Sequence, residues 1–420
     1  MASEEPTICV HGLGYIGLPT AAVLANSGYE VYGFDVDADL RERLQSGEIS
    51  LDEADLERFV KRALDDGFTV VEEVQPADFH LICVPTPYDK DLDKTDLSYV
   101  ESAVEGILPV LRTGDTVILE STVPPGTTAE RIQPLLEAEG HSVPEEIGLG
   151  YSPETVLPGN TLTELRENDR LVGTVPGCPP APIVALYDSF TSGDIRTTSA
   201  TTAEFVKLIQ NAYRDVNIAF ANEIAKLARE FDLDSREAIA MANKHPRVEI
   251  LRPGPGVGGH CLPIDPLFLS EGNDIPMLIE TARAVNDGMV EYVGQLLTAA
   301  LDELEGKKVT LLGVAYKGGV ADTRESPSLA LVEYLCKQNV GSIRLTDPYV
   351  EDDAINATVL TLEASLQDAD AAILVTDHPE YGALSPNRFT QQMAGDVIID
   401  TRAMLDISNW EAEGFEVYQL

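Results

Sequence analysis

The chain reads as an α/β protein in which two doubly wound domains flank a central helical one, and three observations predict this. Short β-prone runs alternate with amphipathic helices over the first 198 residues, the pattern of a parallel sheet. The same rhythm resumes near residue 305. Between the two blocks lie two long helical stretches separated by a loop rich in Gly and Pro. The expected domains are therefore 1–198, 199–304 and 305–420.

In the first block, strands are expected at Thr7–His11, Glu30–Phe34, Phe79–Val84, Thr116–Leu119 and Leu171–Gly173, with a helix at Pro19–Ser27. Thr201 followed by Glu204 has the spacing of a capping box and opens a long helix to about Glu230. Helical patterning returns over 276–305. The third block should hold strands at Val309–Val314, Ser342–Thr346, Ala371–Val375 and Val397–Asp400, and a helix at Ser328–Lys337.

Charge narrows the function classes. The 71 acidic residues against 29 basic ones leave a net charge of −42. That excludes a general nucleic-acid binder, which needs basic surface to neutralise phosphates, and it fits poorly with an anionic membrane surface. The acid is spread along the whole chain, and such self-repulsion is screened at molar salt, where the Debye length falls to about 3 Å. A salt-adapted, halophilic cytoplasm is the expected setting. The N-terminus has no basic region with an apolar run behind it, and no stretch of 18 apolar residues spans a membrane. Five scattered cysteines argue against a disulfide framework. Cys9, Cys83 and Cys336 read as core packing, and Cys178 lies in a Pro-rich loop.

Gly12-Leu-Gly14-Tyr15-Ile16-Gly17 follows the first strand and opens a helix, the context in which such glycines bind a dinucleotide pyrophosphate. Asp35 ends the next strand 23 residues after Gly12, where an acid binds ribose hydroxyls and repels a 2′-phosphate. NAD, with a Rossmann-like first domain, is the expected cofactor. Thr86 in Val84–Pro87 and Thr122 in Ser121–Gly126 each follow a strand. They lie at the ligand-binding end of the sheet, although turn chemistry alone also explains their prolines.

Lys207, Asn211 and Arg214 recur at i, i+4 and i+7 on one helix face. A solvated polar stripe is the bland explanation. Against it, the chain has only 10 lysines and its other exposed faces are acidic. Cys261 ends the glycine-rich segment Gly258-Gly259-His260-Cys261, where backbone can approach a ligand closely. A thiolate adds to an aldehyde, and the adduct can lose a second hydride to give a thioester. Zinc is the competitor for the His260–Cys261 pair, but no further ligand lies at zinc spacing, so no metal is expected.

Together these segments, with Ser152-Pro153-Glu154 and Lys317…Asp322-Thr323-Arg324-Glu325-Ser326-Pro327, resemble the UDP-glucose/GDP-mannose dehydrogenase family over nearly the whole chain. The resemblance implies NAD-dependent four-electron oxidation of a UDP-sugar at C6, in a homodimer or dimer of dimers joined through the middle helices. Asn243–Val248, Pro253–Cys261 and Arg214–Asn222 look like the branch that acts on UDP-N-acetyl-D-mannosamine. UDP-N-acetylglucosamine and UDP-glucose are the alternatives. Carried over by resemblance, the catalytic set is Cys261, Lys207, Asn211, Glu154 and Asp265. Arg324 would join the cofactor site, and Thr155, Val156, Arg214, His245, Arg247, Gly258, Tyr316, Lys317 and Arg402 would contact the substrate. Two positions depart from related sequences. Pro158 stands where UDP-glucose enzymes carry a second Glu, and Thr155 where the mannosamine branch often has Arg.

Overall fold

The computed structural model describes all residues except 1–5, 50–52, 90, 157–158, 274, 276, 352–354 and 356, so Pro158 lies outside the described residues. The chain divides into two compact units, Met1–Gln210 and Asn211–Leu420.

The first unit is built on strands β1 (Thr7–His11), β2 (Glu30–Phe34), β3 (Phe68–Val70) and β4 (Phe79–Ile82), a small hairpin β5 (Tyr88–Asp89) and β6 (Lys94–Thr95), then β7 (Thr116–Leu119), β8 (Gly148–Tyr151), β9 (Arg170–Thr174) and β10 (Ile195–Ser199). Its large sheet has the order β10-β9-β8-β7-β4-β1-β2-β3. Read from β3 to β8, this is the doubly wound dinucleotide-binding order, with a topological switch between β1 and β4. Alternation along the strands sends Ile8, Val10 and Leu81 to a core with the helices Gly17–Asn26 and Ala54–Asp65. Ile82, Val117 and Leu119 face the opposite core, with the helix Ser98–Ile107. The strand expected at Leu171–Gly173 is β9, but it runs antiparallel to β8 rather than extending a parallel sheet. The connection from β8 leaves and re-enters at the same end of the sheet. That return brings the segment after β8 beside the start of β9.

The second unit begins within the long helix Ala200–Glu230 and continues through Ser235–Ala242, Asp265–Ser270, Met277–Asp287 and Met289–Leu301. Helix was expected throughout 276–305, but the chain breaks at Gly288 into two helices. A five-stranded parallel sheet follows: β11 (Lys308–Leu312), β12 (Ser342–Thr346), β13 (Ala371–Leu374), β14 (Val397–Asp400) and β15 (Glu416–Gln419). Its order, β12-β11-β13-β14-β15, is the other common doubly wound arrangement.

Two local expectations fail. Thr201 and Glu204 form no capping box. The helix starts at Ala200, and Ser199 Oγ instead accepts from Thr202 N at 3.2 Å. Glu204 is buried and accepts from Gly126 N, Thr128 N and Thr128 Oγ1, so it anchors a loop rather than its own helix. Cys336 is exposed, because the helix Pro327–Lys337 turns Leu331 and Leu335 inward and the next residue outward.

The turn after β11 depends on Asp347 at the end of β12. Its carboxylate accepts from Val314 N at 2.6 Å, Ala315 N at 3.0 Å, Tyr349 N at 2.8 Å, Val350 N at 3.1 Å and His378 Nε2 at 3.0 Å. Burial alone would raise its pKa, but the His378 bond and the backbone donors outweigh that and hold it below the ordinary carboxylate value. The stability it supplies is therefore present above the unfolded pKa of about 4 and is lost as pH falls through the lower folded value. Asp347→Ala is expected to cost about 3 kcal/mol in urea unfolding, with a shallower acid limb than the parent. An unchanged midpoint would contradict this account.

Candidate functional site

The dinucleotide loop is shaped by what a side chain would strike. Gly12 has φ +88°, and a β-carbon there would lie 2.6 Å from Cys83 O. One on Gly17, the first residue of the helix Gly17–Asn26, would lie 1.8 Å from Gly12 O. Gly14 faces open space, with nothing within 4 Å of such an atom. These are the tight turn, the close helix–strand approach and the bare backbone that a pyrophosphate needs at a helix N-terminus. Asp35 Oδ2 accepts from Leu13 N at 2.7 Å, which fixes this carboxylate against the loop. Ile16 occupies the N-cap position, and Tyr15 OH meets Thr161 Oγ1 at 2.8 Å. Thr86 Oγ1 donates to Thr122 O at 2.6 Å, tying together the loops after β4 and β7. The residues present fit NAD.

Glu154 follows β8. The antiparallel register pairs Gly150 with Thr174 and Tyr151 with Gly173, and continuing it sets Glu154 opposite Arg170. Arg170 Nη2 duly donates to Glu154 Oε2 at 2.9 Å, in a pair whose side chains are 5% and 7% exposed. Thr155 N and Val156 N donate to Oε1 at 2.6 and 3.0 Å. Arg170 also stacks over the rings of Tyr187 and Phe190. Behind it, Glu120 accepts from Tyr187 OH and from Cys83 Sγ. Burial pushes the Glu120 carboxyl above its usual value despite the nearby Arg170. Sequence reasoning missed Arg170, although a lone Arg at the head of an apolar strand was a signal in so acidic a chain.

Lys207 is 7% exposed on the long helix, and its ammonium forms no hydrogen bond or ion pair with the described residues. A lysine drawn this far into the fold of so acidic a chain is a stronger functional signal than the helical spacing alone.

In the second unit, Asn211 Nδ2 donates to Asp265 Oδ2, and Asp265 is 3% exposed. Asp265 N and Ile264 N both donate to Cys261 O, which turns the chain from the cysteine into the helix Asp265–Ser270. Cys261 itself is partly exposed. The glycine segment before it is pinned at two points. Gly254 N donates to Asn222 Oδ1 at 2.8 Å, and Gly259 N donates to Arg324 O at 2.9 Å. Gly259 has φ +84°, and a β-carbon on it or on Gly258 would fall 2.9 or 2.7 Å from Tyr316. Asn222 belongs to a buried network in which its amide donates to Asn286, and Asn286 and Arg283 both donate to Asp215.

The Cys261 thiol is within electrostatic reach of Tyr316 and Arg324. Burial, with Asp322 and Cys261 adding to it, pushes the Tyr316 phenol up to about 12. Arg324 is held by Asp322, with Nε to Oδ1 at 2.9 Å. Lys317 is partly buried beside Tyr316 in the loop after β11. Arg402, after β14, donates from Nε to Val375 O at 2.7 Å and lies under Gly254. Arg214, His245 and Arg247 are exposed, the last two within 3.4 Å of each other.

Comparison with known proteins accords with this geometry. Three domain models of one family match in order: the NAD-binding domain at residues 6–191, the central domain at 201–288 and the UDP-binding domain at 310–407. The UDP-N-acetyl-D-mannosamine dehydrogenase of Methanococcus aeolicus is 42% identical, covering 99% of this chain and 95% of that one. An NDP-N-acetyl-D-galactosaminuronic acid dehydrogenase from Ralstonia nicotianae is 41% identical, covering 95% and 96%. The solved structure of the UDP-D-ManNAc dehydrogenase from Pyrococcus horikoshii superposes with a TM-score of 0.92 at 39% identity, covering 98% of each chain. The chain is an NAD-dependent dehydrogenase of the UDP-glucose/GDP-mannose dehydrogenase family.

Proposed function

We propose that the chain oxidises UDP-N-acetyl-D-mannosamine at C6 to the uronate, with two NAD reduced per sugar and Cys261 carrying the intermediate. The observation that bears most weight is the presentation of Cys261: partly exposed, on a glycine segment pinned at Gly254 and Gly259, beside the Asn211–Asp265 pair. Relatives at 40–42% identity that are named for this substrate support the choice of sugar.

NAD bound at the 12–17 loop supplies the hydride acceptor. Lys207, as the free amine, takes the C6 hydroxyl proton as the first hydride leaves. The Cys261 sulfur adds to the resulting aldehyde as its thiol proton passes to solvent, and the Lys207 ammonium stabilises the oxyanion and returns its proton to it, making the new hydroxyl and leaving the lysine neutral again. That hydroxyl loses its proton to Lys207 as the second hydride departs, leaving a thioester on sulfur. The second N–H of the Asn211 amide, beyond the one that Asp265 accepts, donates to the oxyanion, a contact of the kind worth about 3–4 kcal/mol. Water then attacks the carbonyl, the Cys261 sulfur leaves and is reprotonated, and the carboxylate product is released. Glu154 and Asp265 are the two candidates for activating that water. Arg170 and the two backbone donors hold Glu154 fixed, which favours positioning for Glu154 and leaves proton transfer to Asp265.

Tyr316, Lys317 and Arg402 hold the UDP moiety, Arg324 reaches the cofactor phosphates, and Thr155, Val156, Arg214 and Gly258 line the sugar. The protein acts as a homodimer in a salt-adapted cytoplasm. Tyr213, Phe220 and Leu227 are 62%, 49% and 52% exposed at seven-residue spacing, so they form one apolar stripe along the long helix for a second copy to cover. His245 and Arg247 then serve the partner's substrate. UDP-N-acetylglucosamine remains the second reading, and UDP-glucose the third.

The test is an assay at molar salt with UDP-N-acetyl-D-mannosamine, UDP-N-acetylglucosamine, UDP-glucose and a galactosamine analogue. The first is expected to give the highest kcat/KM and two NADH per sugar; one NADH per sugar would sink the four-electron reading. Cys261→Ser should slow uronate formation by at least about 10³-fold while leaving measurable aldehyde chemistry, as loss of a nucleophile does elsewhere. Uronate production at the parent rate would rule out the thioester route.

A further inference from the structure

Cys9 and His11 alternate along β1, so both point to the sheet face opposite Ile8 and Val10. The register pairs Cys9 with His80 on β4, which brings His80 to that same face. All three are buried, at 0%, 2% and 0% exposure. His11 Nε2 lies 3.2 Å from His80 Nδ1, and one donor atom from each residue falls within 4.8 Å of the other two. Among the described residues, no other group of three Cys, His, Asp or Glu side chains converges in this way.

Core packing and hydrogen bonding account poorly for the cluster. A neutral imidazole has one donor and one acceptor, and the contact between the rings uses one nitrogen of each. His80 Nε2 is left buried without a partner, whichever tautomer the pair adopts. Apolar side chains would fill this face with no such orphan, as Ile82, Val117 and Leu119 do on the neighbouring strands.

We propose that Cys9, His11 and His80 bind a divalent transition ion that favours thiolate and imidazole ligands, such as zinc, beneath the dinucleotide loop. Tetrahedral zinc with Zn–N bonds of about 2.0–2.1 Å separates two nitrogen ligands by about 3.3–3.4 Å, close to the spacing of the two rings. Burial drives both imidazoles to their neutral, ligating form, with pKa values lowered to about 3 for His11 and about 4 for His80. The buried Cys9 thiol, raised to about 11, stays protonated by itself; a bound cation displaces its proton to solvent, so binding releases one proton and forms the metal–sulfur bond. The ion would clamp β1 to β4 one residue before Gly12, at the switch point where the cofactor loop begins. Its role is structural and independent of the reaction proposed above.

The test uses the full chain without a histidine tag, expressed with added zinc and gel-filtered. One equivalent of zinc is expected, and zinc-edge X-ray absorption should show one sulfur and two imidazole ligands, with a water oxygen completing the tetrahedron. Protein refolded with cobalt(II) should show tetrahedral d–d bands and a thiolate charge-transfer band, and should melt at a higher temperature than the metal-free form. Cys261→Ser should keep the charge-transfer band and Cys9→Ala should lose it. Substoichiometric metal from both routes, an oxygen-only ligand shell, or a band that follows Cys261 instead of Cys9 would each overturn the proposal. The absorption spectrum of the unmutated protein decides the matter even if Cys9→Ala does not fold.

Discussion

One backbone hydrogen bond, from Gly259 N to Arg324 O, sets the position of Cys261. The two glycines before His260 leave room for Tyr316, whose ring would collide with a β-carbon on Gly259 and whose own β-carbon would collide with one on Gly258. Glycine is entropically expensive to order, so a segment with this many glycines needs anchors. The bond to Arg324 is one, and the Asn222 carbonyl on Gly254 N is the other. Asn222 is in turn fixed through Asn286 to Asp215 and Arg283. The presentation of Cys261 thus rests on a buried polar chain, and a half-satisfied chain of that kind costs more than an apolar core.

The distribution of cations follows the same economy. The chain carries 29 basic residues against 71 acidic ones, yet Arg170, Lys207 and Arg283 are buried. Two have carboxylate partners inside the fold, Glu154 for Arg170 and Asp215 for Arg283. Lys207 has none among the described residues. The surface is left to acid, and the repulsion within it is of the kind that salt screens.

Much of the fold was legible in the sequence because its strands are apolar runs bounded by glycine and its helices are long. The first two strands and the long helix to Glu230 were readable from period alone. The antiparallel turn into β9 was not, since direction is set by which end of the sheet a connection returns to, and residue patterns do not encode that. The glycine loop, Asp35, Lys207, Asn211 and Cys261 were legible as candidates because each is chemically out of place in its surroundings. Arg170 was not, because its partner lies across a sheet register. His80 escaped for the same reason: it meets Cys9 only once β1 and β4 are paired. Thr201 and Glu204 show the opposite error, a sound local motif overridden when Glu204 found three donors in the 126–128 loop.

The central claim is that Cys261 carries the sugar as a thioester between the second oxidation and hydrolysis. Acid quenching during turnover with UDP-N-acetyl-D-mannosamine and excess NAD, followed by peptide mass spectrometry, tests it directly. The account predicts a hydroxylamine-labile adduct of the UDP-aminouronyl group on the peptide that contains Cys261, and on none containing Cys9, Cys83, Cys178 or Cys336. An unmodified Cys261 peptide during active uronate production, or an adduct on another residue, would contradict it.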